Sequence, residues 1–437
     1  MAADDSYVFG AAVLRGGVGA EGDRYVWRVD LAAPVLLGLP DSAVAPSPQG
    51  QLGLGATYQA ENAGHKVGLV VKEAFAGLRW GQPPVSTVLR LGRFAFGEGH
   101  EISPPGLESL KRERIAERLV GPFDFSHVGR SFDGLEVNRS DPRTSLTAAV
   151  LRPTEGVFQL DGLRPLDVMV AYAGLTRVWT RKRDREPAAG SWEGRLFALY
   201  YLDWRRIPRA DNRPAELRVL DSTAVRIFTI GMHYLAAFRA GPGVADVLLW
   251  GAWQNGGWGQ QRHRAAAVAM EGGFRPRGVP LNPWLRGGWF YGQGDRDPSD
   301  DFHRTFFQVL PTPRIYARFP FYNLTNLVDR FFQLTLRLGD SWRMRLDAHS
   351  LRLAAKEDLW YSGGGAFDRE NFGFVGRSSG GSSDLAGVFD LSTDWQATPR
   401  LGATLYVGHA RGGDVIGAVY PRGQRASFAY LELRCRL

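Results

Sequence analysis

Apolar and polar residues alternate along most of this chain, the period a β-strand produces because successive side chains face opposite ways. In Arg24–Leu31 one face carries Arg24, Val26, Arg28 and Asp30, and the other Tyr25, Trp27, Val29 and Leu31. Residues 341–349 set Arg343, Arg345, Asp347 and His349 against Trp342, Met344, Leu346 and Ala348. In residues 330–338, Phe331, Gln333, Thr335 and Arg337 oppose Phe332, Leu334, Leu336 and Leu338. The last run sets Tyr430, Glu432, Arg434 and Arg436 against Leu431, Leu433, Cys435 and Leu437. The pattern predicts about 18 strands: 5–15, 23–37, 50–60, 66–80, 86–96, 132–139, 145–153, 166–175, 194–206, 223–239, 244–256, 263–274, 283–294, 328–339, 341–355, 384–396, 400–410 and 425–436.

A soluble sandwich alternates in the same way, so connection lengths carry the distinction. Short turns are expected at 139–144, 240–243, 339–340 and 397–399, and long loops at 97–131, 291–326, 356–383 and 411–424. Long connections at 37–50 and 174–192 depart from that parity. Short turns at one end and long loops at the other mark an outer-membrane barrel. The predicted fold is therefore all-β: one transmembrane antiparallel up-and-down β-barrel over 1–437, with long extracellular loops and short periplasmic turns. Closure satisfies every backbone hydrogen bond in lipid. Aromatics near strand ends (Trp250, Trp253, Trp258, Trp284, Trp289, Tyr291) fit interfacial girdles; the alternative is a sandwich core.

No run approaches the roughly 20 apolar residues of a membrane helix. The opening Met1-Ala2-Ala3-Asp4-Asp5-Ser6 has no basic segment followed by an apolar one. It fits a cytosolic protein or one whose signal peptide is removed, and the barrel reading selects the second, with the outer membrane as location.

Charge adds a second layer. The 53 basic and 45 acidic side chains give a formal charge of +8, and only five of the basic residues are lysine, leaving 48 arginines. Cys435 is the one cysteine, so no internal disulfide or thiolate cluster forms. A basic chain can serve nucleic acid, acidic membrane or anionic solute. Arginines on the polar face of alternating strands, without Lys-rich runs or aromatic platforms, argue against nucleic acid.

Three groups of segments resemble the alginate-export family of outer-membrane porins. One is Leu89-Arg90-Leu91-Gly92-Arg93-Phe94 with Arg118–Phe125 and Gly129-Arg130-Ser131-Phe132-Asp133-Gly134. Another is Phe306–Thr312 with Ile315–Phe319 and Asn323–Asn326, and the third is the C-terminal run with Tyr361–Gly365. They cover most of the chain in order. Leu437 departs from the family's terminal aromatic, and the charged stretch His100–Glu117 reads as a short helix inside a loop. The resemblance implies an outer-membrane channel that exports a uronic-acid polymer.

Such a lumen selects by its lining. Guanidinium groups bind carboxylates through paired N–H···O bonds, and interspersed acids weaken that grip. Expected lining and anion-binding residues are Arg24, Arg28, Arg90, Arg93, Arg130, Arg337, Arg343, Arg345, Asp347, Glu432, Arg434 and Arg436, with Arg93 and Arg130 taken from the motif. Arg–acid pairs that only brace the barrel are the alternative, strongest for Arg130 and Asp133. Expected partners are an anionic, alginate-like polysaccharide or small anions, outer-membrane lipid, and periplasmic export components. A porin for sugar acids and a barrel sheathing an envelope partner are the other readings.

No catalytic, cofactor or metal site is expected. Gly17–Gly22 fits GxGxxG but precedes a strand, and Gly376–Gly380 fits GxSxG without a nucleophile elbow. Asp295, Asp297, Asp300 and Asp301 read as a solvated acidic turn, and the eight histidines are dispersed.

Overall fold

Residues 5–45, 51, 53–180, 190–312, 318–319 and 323–437 are described in the computed structural model. Its strands are β1 (Gly10–Glu21), β2 (Tyr25–Leu37), β3 (Val70–Trp80), β4 (Ser86–Phe94), β5 (Phe132–Ser140), β6 (Thr144–Pro153) and β7 (Val168–Thr180). Next come β8 (Ser191–Asp203), β9 (Val225–Ala240), β10 (Gly243–Trp258), β11 (Gln261–Pro276), β12 (Trp284–Gly292) and β13 (Phe302–His303). The last are β14 (Leu327–Leu338), β15 (Trp342–Leu353), β16 (Trp360–Gly363), β17 (Phe374–Arg377), β18 (Asp384–Thr398), β19 (Leu401–Gly412) and β20 (Arg425–Cys435). All but β16 and β17 belong to one 18-stranded sheet. Seventeen of its members are long strands in up-and-down order; the other, β13, is a two-residue strand lying parallel to β11.

Period-two alternation sets the two faces. On β2, Tyr25, Trp27, Val29 and Leu31 are exposed while Val26, Asp30 and Ala32 are buried. On β19, Leu401, Leu405 and Val407 are exposed and Thr404, Tyr406 and Ala410 buried. Exposed apolar residues on one face of every long strand would be unstable in water and are matched by lipid. Leu405→Arg, at mid-strand on that face, is expected to cost about 2–4 kcal/mol, read as a lower midpoint for urea unfolding in lipid vesicles.

One strand expectation is corrected. Residues 50–60 contain no barrel strand; α1 (Leu54–Asn62) occupies that stretch inside the long β2–β3 loop. Leu54, Tyr58 and Asn62 repeat at i, i+4 and are buried, a helical spacing. Asn62 seals the helix end, its Nδ2 donating to the carbonyls of Tyr58 and Phe158 and its Oδ1 accepting from the Leu160 N–H. With that strand removed, the connection after Leu37 falls among the long loops and the parity is restored there. The connection expected at 174–192 shortens because β7 and β8 extend into it; 181–189 lie outside the described residues.

The girdle expectation also changes. Trp250, Trp258 and Trp284 are buried, on inward positions, whereas Trp253 is exposed. An even separation keeps Trp250 and Trp258 on one face, and the odd separation from Trp250 sends Trp253 to the other. Trp289 and Tyr291 share the outward parity of β12, as expected, and the outer aromatics at the short-turn end are Tyr25, Trp27, Trp80, Trp179, Trp342 and Trp395. Trp342 and Trp395 face each other in register and stack at 5.4 Å.

Two long loops fold inward. The β4–β5 loop carries α2 (Glu108–Arg114), as the charged stretch predicts, and its side chains reach strands far apart around the wall. Lys111 pairs with Glu193 on β8, Arg114 with Glu271 on β11, and Glu113 with Arg343 on β15. A helix that meets all three is surrounded by the sheet. Phe306, Phe307 and Leu310 from the β12–β14 loop pack with Ile115 and Leu119 against Leu199, Ile227, Leu248 and Trp250 of the wall. The lumen therefore holds an apolar core of its own, beyond the polar lining that alternation predicts.

A loop-filled lumen and its ion pairs

The barrel interior is crossed by ion pairs between inserted loops and wall. Glu271 receives guanidinium groups from two directions. Arg114 Nη2 lies 2.8 Å and Arg118 Nη2 3.1 Å from its Oε1, both from the loop, and Arg286 Nη1 lies 3.0 Å from its Oε2, from β12. Arg286 also bonds Asp246 on β10. Three cations on one carboxylate offset the cost of desolvating it, which a single pair does less well. Rings cover the cations: Arg114 sits 4.2 Å over Phe331 and Arg118 4.9 Å over Trp250.

A second group lies toward β8. Arg195 Nη2 is 2.6 Å from Glu98 and 3.6 Å from Glu101, and donates to the Tyr172 hydroxyl. Burial raises the Glu101 carboxyl, but Arg195 and Lys111 outweigh it and hold the group at about 2. Glu113 is likewise held below the ordinary carboxylate range, since Arg343 and Arg345 overcome its burial. Nearer the loop surface His100 Nε2 donates at 2.5 Å to the Glu117 carboxylate, which raises the imidazole against the opposing effect of burial.

The twelve sequence-predicted residues separate by position. Arg24 is in the exposed β1–β2 turn, and its carbonyl accepts the Arg79 N–H. Arg28 points inward and bonds Asp30 at 3.0 Å and Glu73 at 2.8 Å. Arg90 pairs with Glu136 beneath Phe75 and Phe94. Arg343 pairs with Glu113 at 2.5 Å, and Arg345 lies 2.6 Å from Asp347, which also accepts from Gln333. Arg337 is exposed next to the β14–β15 turn. On β20, Arg434 lies 3.3 Å from Glu432 and bonds Thr404; Arg436 continues the ladder, its N–H donating to Arg400. Arg24, Arg28, Arg337, Arg434 and Arg436 thus lie toward the short-turn end.

Two motif residues sit elsewhere. Arg93 is three positions from Arg90, an odd step, and shares the face of exposed Leu91. There it forms a two-pronged pair with Asp133 at 2.6 and 2.7 Å and donates to the Leu163 carbonyl. Arg130 is fully buried and, among the described residues, touches no carboxylate. Its Nη1 donates to the carbonyls of Gly121 and Leu310, both at 3.0 Å, and its Nη2 to those of Gly364 and Ala366, at 2.8 and 3.2 Å. Burial pushes the guanidinium down to about 9. Its place is a brace among three loops.

The residues that the sequence reading passed over are Lys111, Arg114 and Arg118 on the inserted loop and Glu193, Arg195, Glu271 and Arg286 on the wall. Their signal was present: 111, 114 and 118 follow the i, i+3, i+4 spacing of one helix face, and each wall residue falls on the inward parity of its strand.

An antiparallel up-and-down sheet with lipid-facing apolar residues, and a lumen filled by its own long loops, defines an outer-membrane β-barrel channel. The matching family model is described as alginate export and spans residues 110–429, so the chain belongs to the alginate export family. Solved structures share the fold. Outer-membrane OpdK of Pseudomonas aeruginosa, crystallised with vanillate, aligns with a TM-score of 0.54 at 11% identity, covering 98% of this chain and 92% of that one. OccK2 (OpdF) of the same organism, in complex with glucuronate, gives 0.55 at 9% over 98% and 92%. OccAB1 of Acinetobacter baumannii gives 0.57 at 10% over 97% and 89%. No curated protein sequence matches the chain.

Proposed function

We propose that this channel passes carboxylate-bearing sugars of one or a few units across the outer membrane, along guanidinium groups in its lumen. The observation that carries the reading is the way the interior treats its own carboxylates. Glu113 lies between Arg343 and Arg345 on a partly exposed loop–wall contact that a passing carboxylate can exchange with, while Glu271, held by three arginines, is buried. Arginine suits this role because its fork engages carboxylates in pairs of hydrogen bonds while each site stays replaceable. Glucuronate and vanillate, bound by two structural neighbours, are both carboxylates. The packed lumen favours short solutes over an extended chain.

Family membership favours a second reading, an alginate-like polyuronate as cargo. That cargo needs the inserted loops to withdraw. The arginine lining and the exported polymer are separable in planar bilayers. Under a sodium glucuronate gradient the reversal potential is expected to report glucuronate as more permeant than sodium. Polymannuronate added to either side is expected to leave the current of the intact chain unchanged. A cation-selective reversal potential would remove the carboxylate reading, and stepwise block by polymannuronate would favour the polymer.

A further inference from the structure

The sheet has two free edges, and their directions identify what closes it. Among the described residues, β1 pairs with β2 alone and β20 with β19 alone. Both faces of each edge are open. On β1, Leu14 is 75% and Val18 65% exposed outward, and the inward Arg15 side chain remains 45% exposed. On β20 the inward Glu432 and Arg434 side chains are 50% and 61% exposed, although the inward Thr404 and Tyr406 of the adjacent strand are buried.

The seventeen long strands among the described residues alternate in direction, so the first and the last run the same way, from the long-loop end to the short-turn end. Direct closure would join them in parallel, the less stable pairing, and β1 and β20 are not paired among the described residues. A second copy in the same membrane with the same orientation presents edges that also run that way, so it too offers only parallel contacts. Bare edges in lipid leave N–H and C=O groups unpaired. A single strand running the opposite way satisfies both edges at once and restores the even number of such barrels.

We infer that this strand is part of the same polypeptide and leads into β1. Residues 5–9 already lie at the long-loop end, where Tyr7 Oη accepts the Ala56 N–H of α1 and Phe9 packs edge-on to Tyr58. A strand rising from the short-turn end delivers the chain to that place through one loop, the connection used around the rest of the sheet. It also starts on the short-turn side, the side on which β20 finishes. The strand has about 9–11 residues, apolar on its lipid face, with acidic or amide side chains inward to meet Arg15 and Arg434.

Two measurements test this. The intact mass of the protein purified from the outer membrane of its own host is expected to exceed the 48.3 kDa of this chain by a strand and loop. N-terminal sequencing is expected to read the alternating segment. A mass of 48.3 kDa overturns the inference, whether or not a separate peptide co-purifies at one-to-one. The second uses Cys435, on the outer face of β20. Neighbouring strands lie about 4.8 Å apart, and strands with one between them about 10 Å apart, beyond disulfide reach. In the host-derived protein, Gly16→Cys, Val18→Cys and Ala20→Cys are expected to give no disulfide with Cys435 under oxidant, but to be bridged by a bismaleimide with a spacer of about 10 Å. A disulfide from any of them overturns the inserted strand.

Discussion

Excising residues 101–116, with a short Gly–Ser bridge in their place, is expected to raise single-channel conductance about threefold or more. The segment contains α2 and is the cross-member of the lumen. Lys111, Glu113 and Arg114 tie it to Glu193, Arg343 and Glu271 on three parts of the wall. Removing it takes away Ile115 and the apolar contacts around it, and frees Glu193 and Arg343 to face water. Because the excised stretch removes several loop cations along with its acids, the widened pore is expected to keep only a weak preference for anions. The measurement is conductance and reversal potential in the same bilayer. Unchanged conductance would mean that ions bypass α2, and the loop would then be a brace. The variant also bears on cargo: polymannuronate that leaves the intact chain unblocked but blocks the excised one would identify α2 as the barrier to polymer.

The wall of this barrel was legible because its physics is local. Side-chain parity along a strand depends on neighbours two residues away, and it placed Arg28, Arg90, Arg343, Arg345 and Asp347 on the inward face before any contact was known. Parity also contained the corrections. Arg90 and Arg93 cannot share a face, nor can Trp250 and Trp253, yet motif membership and clustering grouped them. The α1 segment was misread because Leu52 and Leu54 start an alternation that Tyr58 and Asn62 then replace with a four-residue step.

The lumen was less legible for a different reason. Arg114 meets Glu271 across 157 residues, and Arg343 meets Glu113 across 230. No local pattern encodes which inward acid a loop arginine will find. From the sequence, inward arginines are expected either as ligands for solute or as partners of internal acids, and most of those described inside the barrel hold an internal carboxylate. Under the carboxylate passage proposed above, a solute would compete with Glu113 for Arg343 and Arg345 and gain affinity only by the difference. Weak, exchangeable sites of this kind suit passage better than retention.

Arg130→Met is expected to destabilise the folded barrel by about 3–5 kcal/mol, the cost of leaving buried carbonyl oxygens without a donor. The substitution keeps an unbranched chain of similar reach and deletes four donated hydrogen bonds. Each Nη of Arg130 serves two carbonyls, so the planar fork links Gly121, Leu310, Gly364 and Ala366 in three loops. The Gly121, Gly364 and Ala366 oxygens are buried and would lose the Arg130 donor, the Leu310 oxygen would keep only the Gly121 N–H, and the Phe123 ring 5.8 Å away would lose its cation. Arg130→Lys is expected to recover little, because an ammonium has no fixed fork to span four acceptors. The temperature at which the folded band is lost on unboiled SDS gels should fall for both variants, and trypsin should cut within 95–131 and 354–383 sooner. A solute-binding role makes the opposite pattern: loop proteolysis and melting stay at wild-type values while glucuronate permeability drops. Since Arg130 faces carbonyl oxygens rather than open lumen, the structural pattern is the expected one, and glucuronate selectivity in the surviving folded fraction should be unchanged.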